Sequence, residues 1–249
     1  MTTLWQDELT HAHFAAASTG VAWRELDGAG RAGLLAELHP GNLRWARIGD
    51  ELAMIGSLAL PLSEESFARR RAELVEQVEA VASRMGRGDC GPARRARPAP
   101  PAPGVCDLLR SVALGLGWSV HGEGSLEIHP GGDADTPLRA HAEDDGVAIR
   151  ADATPSLQLA PSPECAVALA VAALGLNARL SAARLRLVDA ERMRFAAECV
   201  LPPDPDEDEV EHALEGVRHA AREARRSLGC LAHPAVARVY AAALELSPG

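Results

Sequence analysis

The side chains able to do chemistry fall into a few short groupings. His11-Ala-His13 near one end and Cys230-Leu-Ala-His233 near the other each offer two zinc-type ligands. A zinc site draws four N or S ligands, usually as paired short spacings, and these two half-motifs stand at opposite ends of the chain. Read locally, they are a fraying N-terminus and a helix-connecting turn broken at His233-Pro234. His212, Glu215 and His219 share one helix face, the arrangement of an acid–base pair or a ligand set. At about 100° per residue, however, His212 and His219 lie nearly opposite the stripe of Val210, Leu214 and Val217. That predicts solvated imidazoles beside Arg222 and Arg226.

Among possible nucleophiles, Cys90 stands between Asp89 and Gly91, exposed and oxidisable but with no positioned base. Cys165 opens an apolar helix whose dipole favours the thiolate, yet Cys165 and Cys199 both lie in apolar stretches and read as small buried hydrophobes. No Gly-x-Ser-x-Gly elbow occurs, and Gly115-Leu-Gly117 and Gly122-Glu-Gly124 read as turns rather than a dinucleotide fingerprint. Glu143-Asp144-Asp145 lacks calcium-loop spacing and reads as a hairpin turn. All 25 basic residues are arginine, so P-loop, pyridoxal Schiff-base and aldolase-type imine chemistry have no lysine to use. The expectation is therefore a chain with no catalytic residues, no cofactor and no metal.

Composition narrows the partners. The 249 residues are 47% hydrophobic and carry a net charge of −10. Nucleic-acid binding needs a concentrated cationic surface, so none is expected. The five cysteines form no CxxC pair, which fits reduced thiols in a cytoplasm better than a disulfide framework. The opening MTTLWQDELTHAHF carries acids rather than a signal-like basic and apolar pattern. The longest apolar run, 166–176, is about half the ~20 residues a membrane span requires. A soluble cytoplasmic protein is expected.

The elements that would position these side chains repeat. Residues 86–104, GRGDCGPARRARPAPPAPG, are proline- and arginine-rich and read as a linker between a smaller unit, 1–85, and a larger one, 105–249. The linker arginines Arg94, Arg95 and Arg97 read as solvated. Before it stands LRWARIGDELAMIGSLALP, and after it LRLVDAERMRFAAECVLP. Each reads as a hairpin, 43–48 with 52–60 and 185–188 with 193–201, ended by a proline that cannot donate to the ladder. A long amphipathic helix follows each. The first is capped by Ser63, with Phe67, Leu74, Val75, Val78, Val81, Ala82 and Met85 on its apolar face. The second starts among Asp204–Glu209 acids and has Arg222, Arg225 and Arg226 at its end, complementing the helix dipole. Upstream in the larger unit come a helix at 105–116, strand candidates at 118–121, 125–129, 138–142 and 147–151, and a nearly all-apolar helix at 164–176. The smaller unit adds a strand at 21–26 and a helix near 31–38. The predicted fold class is α+β, with two related units that are each an antiparallel sheet covered on one face by helices.

This order of elements, with the strand-end Leu201-Pro202 and an acidic-start helix after it (and Leu60-Pro61 in the first unit), resembles the type III secretion chaperones and the related YbjN-like bacterial proteins. The resemblance covers about residues 104–229 and, more weakly, 20–85. It implies a secretion-chaperone-like α/β fold that binds an unfolded partner segment along apolar grooves and strand edges, with no catalytic residues. The chain departs from that pattern as a covalent tandem with an added helix at 234–246, so the tandem takes the place of a homodimer. A chaperone-like, protein-binding adaptor is expected, forming an intramolecular pseudo-dimer or a homodimer. The alternatives are an enzyme using a cysteine or metal, and a structural subunit of a larger assembly. Trp5, Trp23 and Trp45, with the helix stripe Val236, Val239, Tyr240 and Leu244, are the expected partner-binding residues.

Overall fold

The computed structural model describes residues 2–6, 13–26, 28–37, 42–58, 64–85, 101–122, 126–132, 136–143, 146–154 and 161–246. Ser63, Leu60-Pro61, Cys90 and the linker arginines fall outside them, as do His11 and most of the 86–104 linker. Among the described residues the fold is α+β, with two antiparallel sheets and six helices.

The first sheet has the order β1 (Thr2–Gln6), β2 (His13–Ala22), β4 (Glu51–Leu58), β3 (Arg44–Ile48). The β3–β4 hairpin falls where alternation and the Gly49-Asp50 break place it. Gly49 takes φ +60°, a conformation that a β-branched residue would strain to reach. The amino-terminal strands overturn the sequence expectation. Residues 2–6 and 13–22 pair as strands, Trp5 opposite Phe14, instead of fraying. The strand expected at 21–26 is instead the end of β2 followed by a 3-10 turn, Trp23–Glu25. The alanines of β2 give little strand propensity of their own, and its register against β4 supplies what propensity does not.

Helix α1 (Gly28–Ala36) crosses between β2 and β3, and α2 (Glu64–Met85) follows β4. Leu74, Val78, Val81 and Ala82 of α2 are buried as their spacing predicts. The close seat of α2 is made by Gly56, where a Cβ would stand 2.4 Å from Leu74 Cδ1.

The second sheet has the order β5 (Ser119–His121), β6 (Glu127–His129), β7 (Leu138–Glu143), β8 (Gly146–Asp152), β10 (Arg194–Leu201), β9 (Arg184–Asp189). Helix α3 (Pro103–Gly115) precedes it and begins two residues before the expected helix start at Val105, because Pro103 suits a first helical turn. Helix α4 (Pro163–Asn177) crosses between β8 and β9 and α5 (Glu207–Gly229) follows β10. Asp206 and Glu209 form a reciprocal capping box at the start of α5. Its stripe of Val210, Leu214, Val217, Ala221, Ala224 and Leu228 is entirely buried. At about 1.5–3 kcal/mol for each large aliphatic side chain, this stripe is a main anchor of the second sheet.

The two sheets share one continuous hydrophobic core. Helix α4 packs on α6 (Pro234–Leu246) and, among the strands, chiefly on β3 of the other sheet, while α1 lies on α4 and β9. The first sheet is therefore not covered on a single face as expected. Helix α2 covers one side, and on the other Phe14, Ala16, Ala46, Ala53 and Ile55 are buried, with Ala178 just past α4 packed among them.

Buried polar side chains join the facing edge strands β3 and β9. Arg44, the first residue of β3, donates from Nε to Asn177 O at 2.7 Å and also to Leu180 O. Arg184, the first residue of β9, donates to Leu43 O at 3.0 Å. Asn177 ties both strands, donating to Trp45 O (3.0 Å) and Leu185 O (3.1 Å) and accepting from Leu185 N (2.7 Å). Burial, reinforced by Arg184, lowers the Arg44 guanidinium to about 9, which leaves it charged at neutral pH.

Candidate functional site: an open apolar groove

The second face of the first sheet is only partly covered by α4. Beyond that cover it becomes the floor of a groove of about 1070 Å³. β1 and β2 contribute Thr3, Trp5, Ala16 and Ser18, and β4 contributes Ala53. The facing wall is Ala172, Gly175, Leu176 and Arg179 from α4 and the turn after it, with Leu231 and Tyr240 above. Tyr240 belongs to helix α6 (Pro234–Leu246). The groove exists because the residues meeting across it are small: an added Cβ at Gly175 would meet nothing within 4 Å. Trp5 is held rigid by stacking on Phe14, with ring centroids 5.1 Å apart and planes 6° from parallel. At the groove's margin, Glu51 accepts the Ser18 hydroxyl, and the Arg47 guanidinium lies 5.1 Å from the Trp23 ring centroid.

Of the expected partner-binding residues, the structure brings Trp5 and Tyr240 together in this groove. Trp23 and Trp45 are core residues at 4% and 3% exposure, so they are not surface anchors. Trp23 lies under the guanidinium groups of Arg24 and Arg31, and Trp45 Nε1 donates to Glu37 at 2.7 Å. The stripe of α6 is also rotated from the expected one. Ala237 is buried and Tyr240 and Leu244 pack on the core, while Val236 (42%) and Val239 (70%) face outward.

The chemical candidates disperse. Among the described residues no three His, Cys, Asp or Glu side chains cluster as a metal site. His13 packs edge-on against Phe67, far in sequence from His233. Cys165 is buried, its N–H capped by Ser162 and its thiol directed at Ala232 O. Burial pushes the Cys199 thiol up to about 12 and raises Cys106 as well, which removes both as thiolates. Cys230 is exposed and lines the groove.

His212 corrects the helical-wheel expectation. It is half-buried, its Nε2 is enclosed without a hydrogen-bond partner, and desolvation lowers its pKa. It lines a smaller cavity of about 330 Å³ where α2 faces α5, spanned by the Arg70–Glu209 ion pair at 2.6 Å. The wheel of one helix cannot register the second helix laid over its polar side. His219 is exposed, as expected.

Sequence reasoning also missed the buried charge cluster on the outer face of the second sheet. Glu198 is fully buried and accepts from Arg184 Nε at 3.0 Å, Arg186 Nη1 at 3.1 Å and Arg150 Nε. The available signal was a lone acid inside the apolar run Phe195-Ala-Ala-Glu198-Cys-Val-Leu201. Among the described residues, no helix is long and apolar enough to cross a membrane. No family model, curated protein or solved structure matches the chain.

Proposed function

We propose that this protein is a non-catalytic, chaperone-like adaptor of the cytoplasm that holds an extended apolar segment of a partner protein in the groove between the first sheet and helices α4 and α6. The observation carrying this reading is the groove itself. Trp5 stacked on Phe14 and several small aliphatic residues form much of its lining, and it opens beside the edge of β1 that no strand pairs among the described residues. An edge strand offers backbone donors and acceptors in register, and Thr3 and Trp5, two residues apart, face the groove as alternate residues of an added strand would.

The matching strand orders support a duplicated module: β1-β2-β4-β3 in one sheet, β7-β8-β10-β9 in the other. In each, a helix crosses between the second and third strands and a long helix follows the fourth. On this reading the chain is an intramolecular pseudo-dimer of secretion-chaperone-like units, akin to the YbjN-like proteins.

The test uses a phage-displayed library of random peptides of about eight residues, slightly longer than a typical strand. The bait is the full chain carrying Cys90→Ser. Enriched peptides are expected to carry apolar residues at alternate positions and to protect Cys230 from maleimide. They are expected to lose binding to Gly175→Phe, which fills the groove from a site with open space around it. Failure to enrich any peptide, or peptides that bind Gly175→Phe equally and leave Cys230 reactive, would refute the reading.

A further inference from the structure

The groove is largely apolar along its floor but, among the described residues, holds a cation, Arg179, that no side chain pairs. Arg179 stands two residues past the end of α4, is exposed and lines the groove. Among the described residues its guanidinium makes no hydrogen bond, ion pair or ring contact. The other two charged side chains of the lining have neutral partners: Arg47 lies over the Trp23 ring, and Glu51 accepts the Ser18 hydroxyl. An arginine at a helix C-terminus complements the helix dipole, but that role leaves the planar fork of donors open to a ligand.

Resting on the reading of the groove as a peptide site, we propose that the segment it selects is apolar with one carboxylate, Asp or Glu, which pairs with Arg179. The occupant is a peptide rather than a fatty acid for two reasons. The groove runs beside a strand edge, unpaired among the described residues, whose N–H and C=O groups an acyl chain cannot use. It is also open to solvent, whereas an acyl chain gains most from an enclosed cavity. The acidic surface of the chain, net −10, repels carboxylates elsewhere, so Arg179 confers a local preference rather than general attraction to acidic partners.

The experiment takes the tightest peptide from the library, its acid replaced by the amide, and its acid replaced by lysine. Each is fluorescein-labelled and titrated against the full chain and against Arg179→Glu, with oleate as a competitor. The acid peptide is expected to bind the unsubstituted chain about tenfold more tightly than its amide. Arg179→Glu is expected to abolish that preference and to favour the lysine peptide. This charge-swap rescue excludes mere misfolding as the cause. Peptides that bind and protect Cys230 but show no difference between acid and amide overturn this inference and leave the groove reading standing. Failure of every peptide overturns both. Displacement by oleate at concentrations where peptides do not compete assigns the groove to lipid and overturns the peptide proposal.

Discussion

Replacing Glu198 by glutamine tests the central electrostatic argument. Burial alone would raise this carboxyl, but Arg184, Arg186 and Arg150 outweigh burial and hold it at about 2, against an ordinary 4.5. A carboxylate depressed on folding stabilises the native state above its unfolded pKa, and that contribution fades as pH falls towards the folded value. With about 1.4 kcal/mol per pH unit, the displacement is worth about 3 kcal/mol near neutrality. Glu198→Gln keeps the shape but leaves three guanidinium groups around a neutral amide, a change that typically costs about 3–5 kcal/mol for a buried pair. Because Arg184 also donates to Leu43 O, the loss reaches the first sheet. Urea midpoints are to be measured for both chains from about pH 7 to about pH 3. The expected gap is roughly constant above about pH 5 and shrinks to about 1 kcal/mol near pH 3, because the unfolded chain's carboxyl takes up its proton there while the native carboxylate does not. Equal midpoints at neutral pH, or a gap undiminished at pH 3, would refute the reasoning.

Arg44→Met removes the donors to Asn177 O and Leu180 O and leaves buried carbonyls unpaired, so a loss of about 3 kcal/mol is expected in urea unfolding. Gly146→Ala places a Cβ 1.9 Å from Leu201 O at a residue with φ +153°, and a loss of at least about 3 kcal/mol with weakened β8–β10 amide protection is expected by hydrogen exchange. Asp206→Ala removes the cap on Glu209 N (2.8 Å) and is expected to lower stability by about 1 kcal/mol in thermal melts.

Hairpins and long helices were legible because each is set by a local period. The stripe of α5 and the Gly49-Asp50 turn needed no knowledge of the rest of the chain. β1 and β2 were not legible, since the alanines of β2 give little strand propensity and its structure comes from pairing with β4 on one side and β1 on the other. Little of the candidate site could be read in advance: of the residues expected to bind a partner, only Trp5 and Tyr240 line the groove. The groove itself could not, because its volume comes from small residues of β2, β4 and α4 that are distant in sequence. Trp23 and Trp45 misled for a related reason, as a tryptophan reads alike whether it anchors a partner or fills a core.

The crossing of α4 onto β3 and of α1 onto β9 has a mechanical consequence. Each sheet borrows part of its cover from the other, so neither can shed its helices and stay dry. A clasped pair of hands is the mechanical analogue: a single unfolding transition is expected, and a cut in the polypeptide between the two grips is expected to leave the clasp shut.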